Sequence, residues 1–491
     1  MNAVDLRSSI PDLAAALRAG SSISPADLVE QSLAAIEGNA ALRAFVSVDA
    51  ERARADAETA AGELASGRDR GVLHGLPIAV KDNMDVVGEH TRVGSLLFGD
   101  EPATSDATVV ELLREAGAII VGRTNMHELA WGGTTDNPHT GRARNPWNPD
   151  HTPAGSSGGA GIAVASGMVV AALGTDTGGS IRLPASATGV SGLRPTLGRV
   201  SGAGVTPAAW TMDTVGPLTV RAADAALVHD VIAGWDPRDR VTRGSLPATS
   251  TAPAFADGDG ARAALSGLRV GVIENFTFES CQPAVSRGVR DALGVLEAAG
   301  ASLRSIAVPG AEHLLDATIV INSVEPSAMH IDLLANRPAD YGDEVRTYFE
   351  IGMMFSAVEY VQAQRYRAWF REQLLHAMSD VDVLITPTIP FTAPRHGETH
   401  MDVEGGVLSI TAGNMKYTAI GSMTGFPSLS IPVGFDSQHL PIGALITARA
   451  GDEATAVRVG HAFQLLTEFH EARPPQLDLS AFDRASTTRK V

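Results

Sequence analysis

Residues 154–185 read AGSSGGAGIAVASGMVVAALGTDTGGSIRLPA. The run contains a glycine loop bearing Ser156 and Ser157, a small-residue helix (GAGIAVASGM) and a strand (VVAALGTD). A second glycine turn then carries Ser180. Helix followed by strand is what a mixed α/β sheet requires, and the small side chains point to close helix–sheet packing. From 155 to 198, 11 of 44 residues are glycine, against 50 in the whole chain of 491, so this is the tightest backbone in the protein. The turn TDTGGS leaves several backbone N–H groups without ladder partners beside a hydroxyl. Such a turn suits a developing oxyanion, and equally any tight loop, so its reading depends on what else in the chain activates the hydroxyl.

Upstream, SSISPADLVEQSLAAIEG reads as a helix with Ser24 as N-cap, Pro25 at N1, Asp27 at N3 and Gly38 as the stop. A charged helix follows at 49–67, then a short buried strand, PIAV, that ends at Lys81. DATVVELLREAGAIIVG gives a further helix and strand joined at Gly117. Residues 131–159 are rich in Gly, Pro, Asn and Thr, a long loop of the functional kind, with Trp131 and Trp147 arguing against disorder. Downstream the helix–strand alternation resumes, with DVLITPTIP and PSLSIPVG as two late strands. The stretch 241–262 reads as a surface excursion, and 325–380 as mostly helical, a cap or lid.

Composition narrows the function classes. A charge of −18 argues against nucleic acid or an anionic membrane as partner. The longest apolar stretch, AGIAVASGMVVAALG, falls short of the ~20 residues of a membrane span. No basic, apolar leader opens the sequence, so a cytoplasmic location is expected. One cysteine, Cys281, excludes an internal disulfide and a Cys-based zinc site. No P-loop, dinucleotide fingerprint or H-E-x-x-H motif occurs. The pairs His127-Glu128 and His470-Glu471 read as surface or capping pairs.

Of 38 basic residues only Lys81, Lys416 and Lys490 are lysines. Lysine, unlike arginine, can lose its proton near neutral pH when buried, which singles out Lys81. Lys416 suggests no more than a surface or supporting role. Gly155-Ser156-Ser157-Gly158-Gly159 matches the nucleophile elbow G-x-S-x-G, with Ser157 as nucleophile. That motif needs a strand leading into it, whereas here NPWNPDHTPA supplies three prolines.

A better constellation joins Lys81, Ser156 and Ser180. Lys81 and Ser180 both follow strands, where open α/β sheets place their sites. A desolvated lysine can serve as general base, with Ser156 relaying the proton from Ser180. Thr177, Gly178, Gly179 and Ser180 would then offer N–H groups to an oxyanion, worth ~3 kcal/mol per donor. Plainer readings stand beside each residue: Lys81 as a salt-bridge partner of Asp82 or Asp176, and Ser156 and Ser180 as helix caps.

The blocks GLPIAVKDN, residues 154–199 and TPAAWTMDTVGPLTVRAADAALV resemble the amidase signature family, with Arg194 where many members have lysine. A weaker resemblance spans most of the chain, with 240–330 the least diagnostic. It implies one α/β/α domain over 1–491 around a mixed sheet, with N-terminal helices in 1–68, the signature core at 70–235 and the cap-like region at 325–380. It implies Ser180 as nucleophile, Ser156 as bridging serine in a cis peptide, Lys81 as base, and an oxyanion hole at Thr177–Ser180. Asp176 and Arg182 match positions that brace the turn. The implied activity is hydrolysis of a carboxamide or related C–N acyl bond, carbamates and hydrazides included, without metal or organic cofactor. The partner is a small-molecule amide, and homodimer assembly is open. The alternative within the resemblance is the glutaminase subunit of a tRNA-dependent amidotransferase, although VEPSAMHIDLLANRPADYGDE lacks the RYG-like segment associated with it. Trp131, Gly132, Gly133, Trp210 and Met212 flank the motifs as candidate pocket residues, with Phe349, Phe355 and Tyr360 as candidate cap aromatics.

Overall fold

The computed structural model describes residues 4–19, 23–244, 250–274, 276–477, 479 and 482. Lys490 lies outside them, as do residues 245–249 of the 241–262 stretch. Thirteen strands occur among the described residues. In chain order they are β1 (Phe45–Val48), β2 (Pro77–Lys81), β3 (Ile119–Thr124), β4 (Ala171–Asp176), β5 (Ser191–Arg194), β6 (Thr214–Thr219) and β7 (Arg269–Ile273). There follow β8 (Ser302–Ile306), β9 (Val383–Pro387), β10 (His400–Val403), β11 (Gly406–Ser409), β12 (Ser428–Phe435) and β13 (Pro441–Thr447). Eleven form one mixed sheet in the order β1-β3-β2-β4-β6-β5-β12-β13-β9-β7-β8, and β10 and β11 pair in a separate hairpin. Helices cover both faces, and apolar clusters fill the space between helix and sheet on either side.

The strands that carry the site are apolar on both faces because helices pack against each; β2, β3 and β4 are buried at every position. β2 lies parallel to β4, with Ile78 opposite Ala171 and Val80 opposite Leu173. Their C-terminal ends therefore emerge side by side, Lys81 closing one and Asp176 the other. The wholly buried helix Gly158–Ala165 packs on this pair. Its two leading glycines leave no room for a side chain: a Cβ on Gly159 would meet the Ala44 carbonyl oxygen at 2.4 Å.

The helix Pro25–Gly38 begins as its sequence dictates, with Ser24 and Asp27 in a reciprocal capping box. The stretch 241–262, read as a surface excursion, is largely exposed over its described residues but is tied down and partly helical. Thr251 is buried against Asp230, and the helix Gly258–Leu265 starts inside the stretch, capped by Asp257. Residues 325–380 lie in the helices Leu314–Met329, Ile331–Asn336, Asp343–Gly352 and Ala357–Ala377 and their connections. Among the described residues no helix is long and apolar enough to cross a membrane.

Candidate active site

Lys81 is fully buried at the end of β2, and its Nζ donates to Ser156 Oγ at 2.7 Å and to Thr175 Oγ1 at 2.8 Å. It has no carboxylate partner among the described residues. Asp82 is taken by Arg123 at 2.7 Å, and Asp176 by Arg182 and Arg194. Desolvation pulls the Lys81 pKa from the ordinary 10.5 to about 7, against the weaker opposing pull of Asp176 and Asp213. An amine held in this way exchanges its proton near neutrality.

Ser156 follows a cis peptide bond from Gly155 and is fully buried. The backbone ties it to the Ser180 turn: Ser157 N–H donates to the Ser180 carbonyl at 3.2 Å, and His127 N–H to the Ser156 carbonyl at 3.0 Å. Neither Ser156 nor Ser180 caps a helix by its side chain. The Ser157 hydroxyl is turned inward, donating to the Thr175 carbonyl at 3.2 Å, so the elbow motif presents no free nucleophile.

Two arginines hold the turn after β4 open. The Asp176 carboxylate accepts from Arg182 Nε at 2.9 Å and Nη2 at 2.8 Å, and from Arg194 Nη1 at 3.0 Å. Burial works to raise its pKa, but the two guanidiniums outweigh that and keep it well below the usual carboxylate range. Arg182 also donates to the Thr418 carbonyl at 2.8 Å and to Ser422 Oγ at 3.0 Å, while Thr418 Oγ1 donates to the Gly178 carbonyl at 2.6 Å. Gly179 has φ of +137°, and a Cβ there would press on Leu183 and Thr418 at 2.9 Å. Among the described residues, the N–H groups of Thr177, Gly178, Gly179 and Ser180, four backbone donors on this one turn, are left without a protein acceptor.

Ser180 borders a cavity of about 650 Å³, counting its open mouth. Trp131, Gly132, Gly133, Thr177 and Gly178 line it, and residues absent from the sequence reading complete it: Asn322, Glu344, Tyr348, Asn414 and Met415. Trp131 is fixed by donation from Nε1 to the Asn322 carbonyl at 2.8 Å and by a tilted contact with Tyr348, ring centroids 4.2 Å apart. Gly132 has φ of +152° with the His127 ring where a Cβ would sit.

The structure does not bring Trp210 and Met212 into this cavity. Trp210 is half exposed over a separate cavity of about 810 Å³, also open to solvent, whose lining includes Asn83, Thr175 and Asp213. Met212 is fully buried in another cluster, and its carbonyl accepts from Arg194 Nη2 at 2.7 Å. Of the candidate cap aromatics, Phe349 is buried edge-on to Trp131, and Tyr360 donates to Glu325 at 2.9 Å; neither lines the cavity. Nor does Phe355. The surface reading of His127-Glu128 is overturned. Both are buried, and Glu128 accepts from Ser95 Oγ and from the Gly342 N–H at 2.9 Å each. His470 is also buried, 3.1 Å from Glu471, which pairs with Arg221. Lys416 donates to the Glu279 carbonyl and lies over the rings of Phe276 and Tyr417.

Sequence reasoning also missed Asp213, a partly buried carboxylate that accepts from Thr177 Oγ1 at 2.5 Å and from the N–H groups of Ala208 and Ala209. Desolvation raises its pKa, against those hydrogen bonds. Its place just before β6, inside a block already read as a motif, was the available signal.

A family model described as Amidase matches residues 27–457. The chain belongs to the amidase signature family. An amidase of Pseudomonas putida is 37% identical over 435 residues, covering 88% of this chain and 90% of that protein. A glutamyl-tRNA(Gln) amidotransferase subunit of Carboxydothermus hydrogenoformans is 34% identical over 460 residues, covering 88% and 92%. A solved structure bearing on the evolutionary origins of an s-triazine catabolic enzyme superposes with a TM-score of 0.87 at 34% identity, over 93% of this chain and 98% of that one. As an amidase signature enzyme, the chain is a hydrolase of amide-type C–N bonds.

Proposed function

We propose that this enzyme cleaves a small-molecule carboxamide through an acyl-enzyme on Ser180, with Lys81 as base and Ser156 as relay. The carrying observation is the fully buried Lys81 amine, 2.7 Å from Ser156 Oγ and with a pKa of about 7. Neutral Lys81 takes the Ser156 proton as Ser156 takes that of Ser180, and Ser180 Oγ bonds to the substrate carbonyl carbon. The N–H groups from Thr177 to Ser180 receive the oxyanion. When the C–N bond breaks, the proton returns along the same path to the departing amine. Water then attacks the acyl group, giving up its proton along that path. The Ser180–acyl bond breaks, releasing the acid, and Ser180 regains its proton. Asp176, Arg182 and Arg194 fix the turn and leave the proton path to lysine and serine.

Intact-protein mass spectrometry during turnover of a slow amide or ester tests the reading. The expected result is an increase equal to the acyl mass, mapped to Ser180 and absent in Ser180→Ala. Acylation of another residue, or full activity in Ser180→Ala, would overturn it.

A further inference from the structure

We infer that the cavity beside Ser180 selects amides whose pocket-filling group bears no negative charge, favours those bearing a cation, and owes this preference to Glu344. The inference rests on the reading of Ser180 as nucleophile only in placing the substrate there. Glu344 lines the cavity, on the first turn of the helix Asp343–Gly352. Among the described residues, no lysine, arginine or histidine lines it. The cations nearby are committed elsewhere. Lys416, next to the lining residue Met415, is drawn to the Glu279 carbonyl. Arg346 reaches Asp343 at 3.0 Å and Glu350 at 3.8 Å. His127 Nε2 lies 3.9 Å from Glu344, but burial lowers its pKa, so it stays neutral.

A carboxylate on the substrate would therefore face Glu344 with no counter-ion. The aromatic part of the lining is compatible with a cation as well: Trp131 and Tyr348, ring centroids 4.2 Å apart, border the same cavity. Free glutamine fits poorly on this basis, because its α-carboxylate would lack a cationic partner. The chemistry fits instead an aromatic or apolar amide, neutral or with an ammonium group.

Glu344 is 57% exposed, so attraction and repulsion are each modest, together about tenfold between matched cationic and anionic ligands at low salt. The test measures binding of benzamide, 4-(aminomethyl)benzamide, 4-carboxybenzamide and glutamine to Ser180→Ala by calorimetry, alongside turnover by the unmodified enzyme. The expected affinity order is ammonium, neutral, carboxylate, with the ammonium-to-carboxylate ratio inverted in Glu344→Lys. A carboxylate ligand bound as tightly as the ammonium one, glutamine bound more tightly than benzamide, or no binding by any benzamide would overturn the inference. The expected order in binding without any turnover would instead count against the Ser180 chemistry and leave the selectivity standing.

Discussion

At the scale of single residues, the proposed base role of Lys81 would account for a lysine in this arginine-rich chain. That proposed role requires the unprotonated amine, so kcat/KM should rise with pH through about 7 and then level off. Lys81→Ala should lower kcat about a thousandfold and abolish that limb of the profile. The same depressed pKa bears on stability. From about 7 to 10.5 the unfolded chain binds a proton that the folded chain does not, so this contribution to stability grows as pH rises through the window and is least below it. Lys81→Met should accordingly gain Tm relative to the parent at pH 6 compared with pH 9, as read by calorimetry. Ser157 provides the contrast. Its hydroxyl serves a backbone carbonyl, so Ser157→Ala should cost about 1 kcal/mol in denaturant unfolding and keep most of the activity. A loss as deep as that of Ser180→Ala would restore the elbow reading.

At the scale of elements, the site depends on two parallel strands ending together and on a turn braced by a buried Arg–Asp–Arg group. Asp176→Asn leaves two guanidiniums short of charge in a fully buried place, and should cost about 3–5 kcal/mol in unfolding free energy. Activity should fall with it, because the N–H groups from Thr177 to Ser180 would lose their frame. Much of this is legible in the sequence. The strand before Lys81, the small-residue helix and the strand before the Ser180 turn all stand where periodicity and glycine place them. β6 is not legible, since Pro217 argues against a central strand. The structure accommodates it because β5 meets β6 only at Leu218 and Thr219, so at Pro217 the missing N–H has no ladder partner to disappoint on that side. The residues completing the pocket are equally silent. Glu344 and Tyr348 sit on a helix whose pattern is that of any half-buried helix, and only the packing of chain segments some two hundred residues apart brings them to Trp131.

At the scale of the whole molecule, family membership makes the chain an amide-cleaving hydrolase, while its relatives include both an amidase and an amidotransferase subunit. On the account above, the purified chain alone should hydrolyse amides without tRNA or partner proteins, as an ammonia-release or amine-release assay would show. The proposed chemistry rests on a proton path from Ser180 through Ser156 to Lys81. Peptide mapping by mass spectrometry after treatment with a small fluorophosphonate probes it directly. Activation by Lys81 predicts a label on Ser180 that forms faster as pH rises through about 7 and is lost in Lys81→Ala. A label on Ser157, or one on Ser180 that persists unchanged without Lys81, would contradict it.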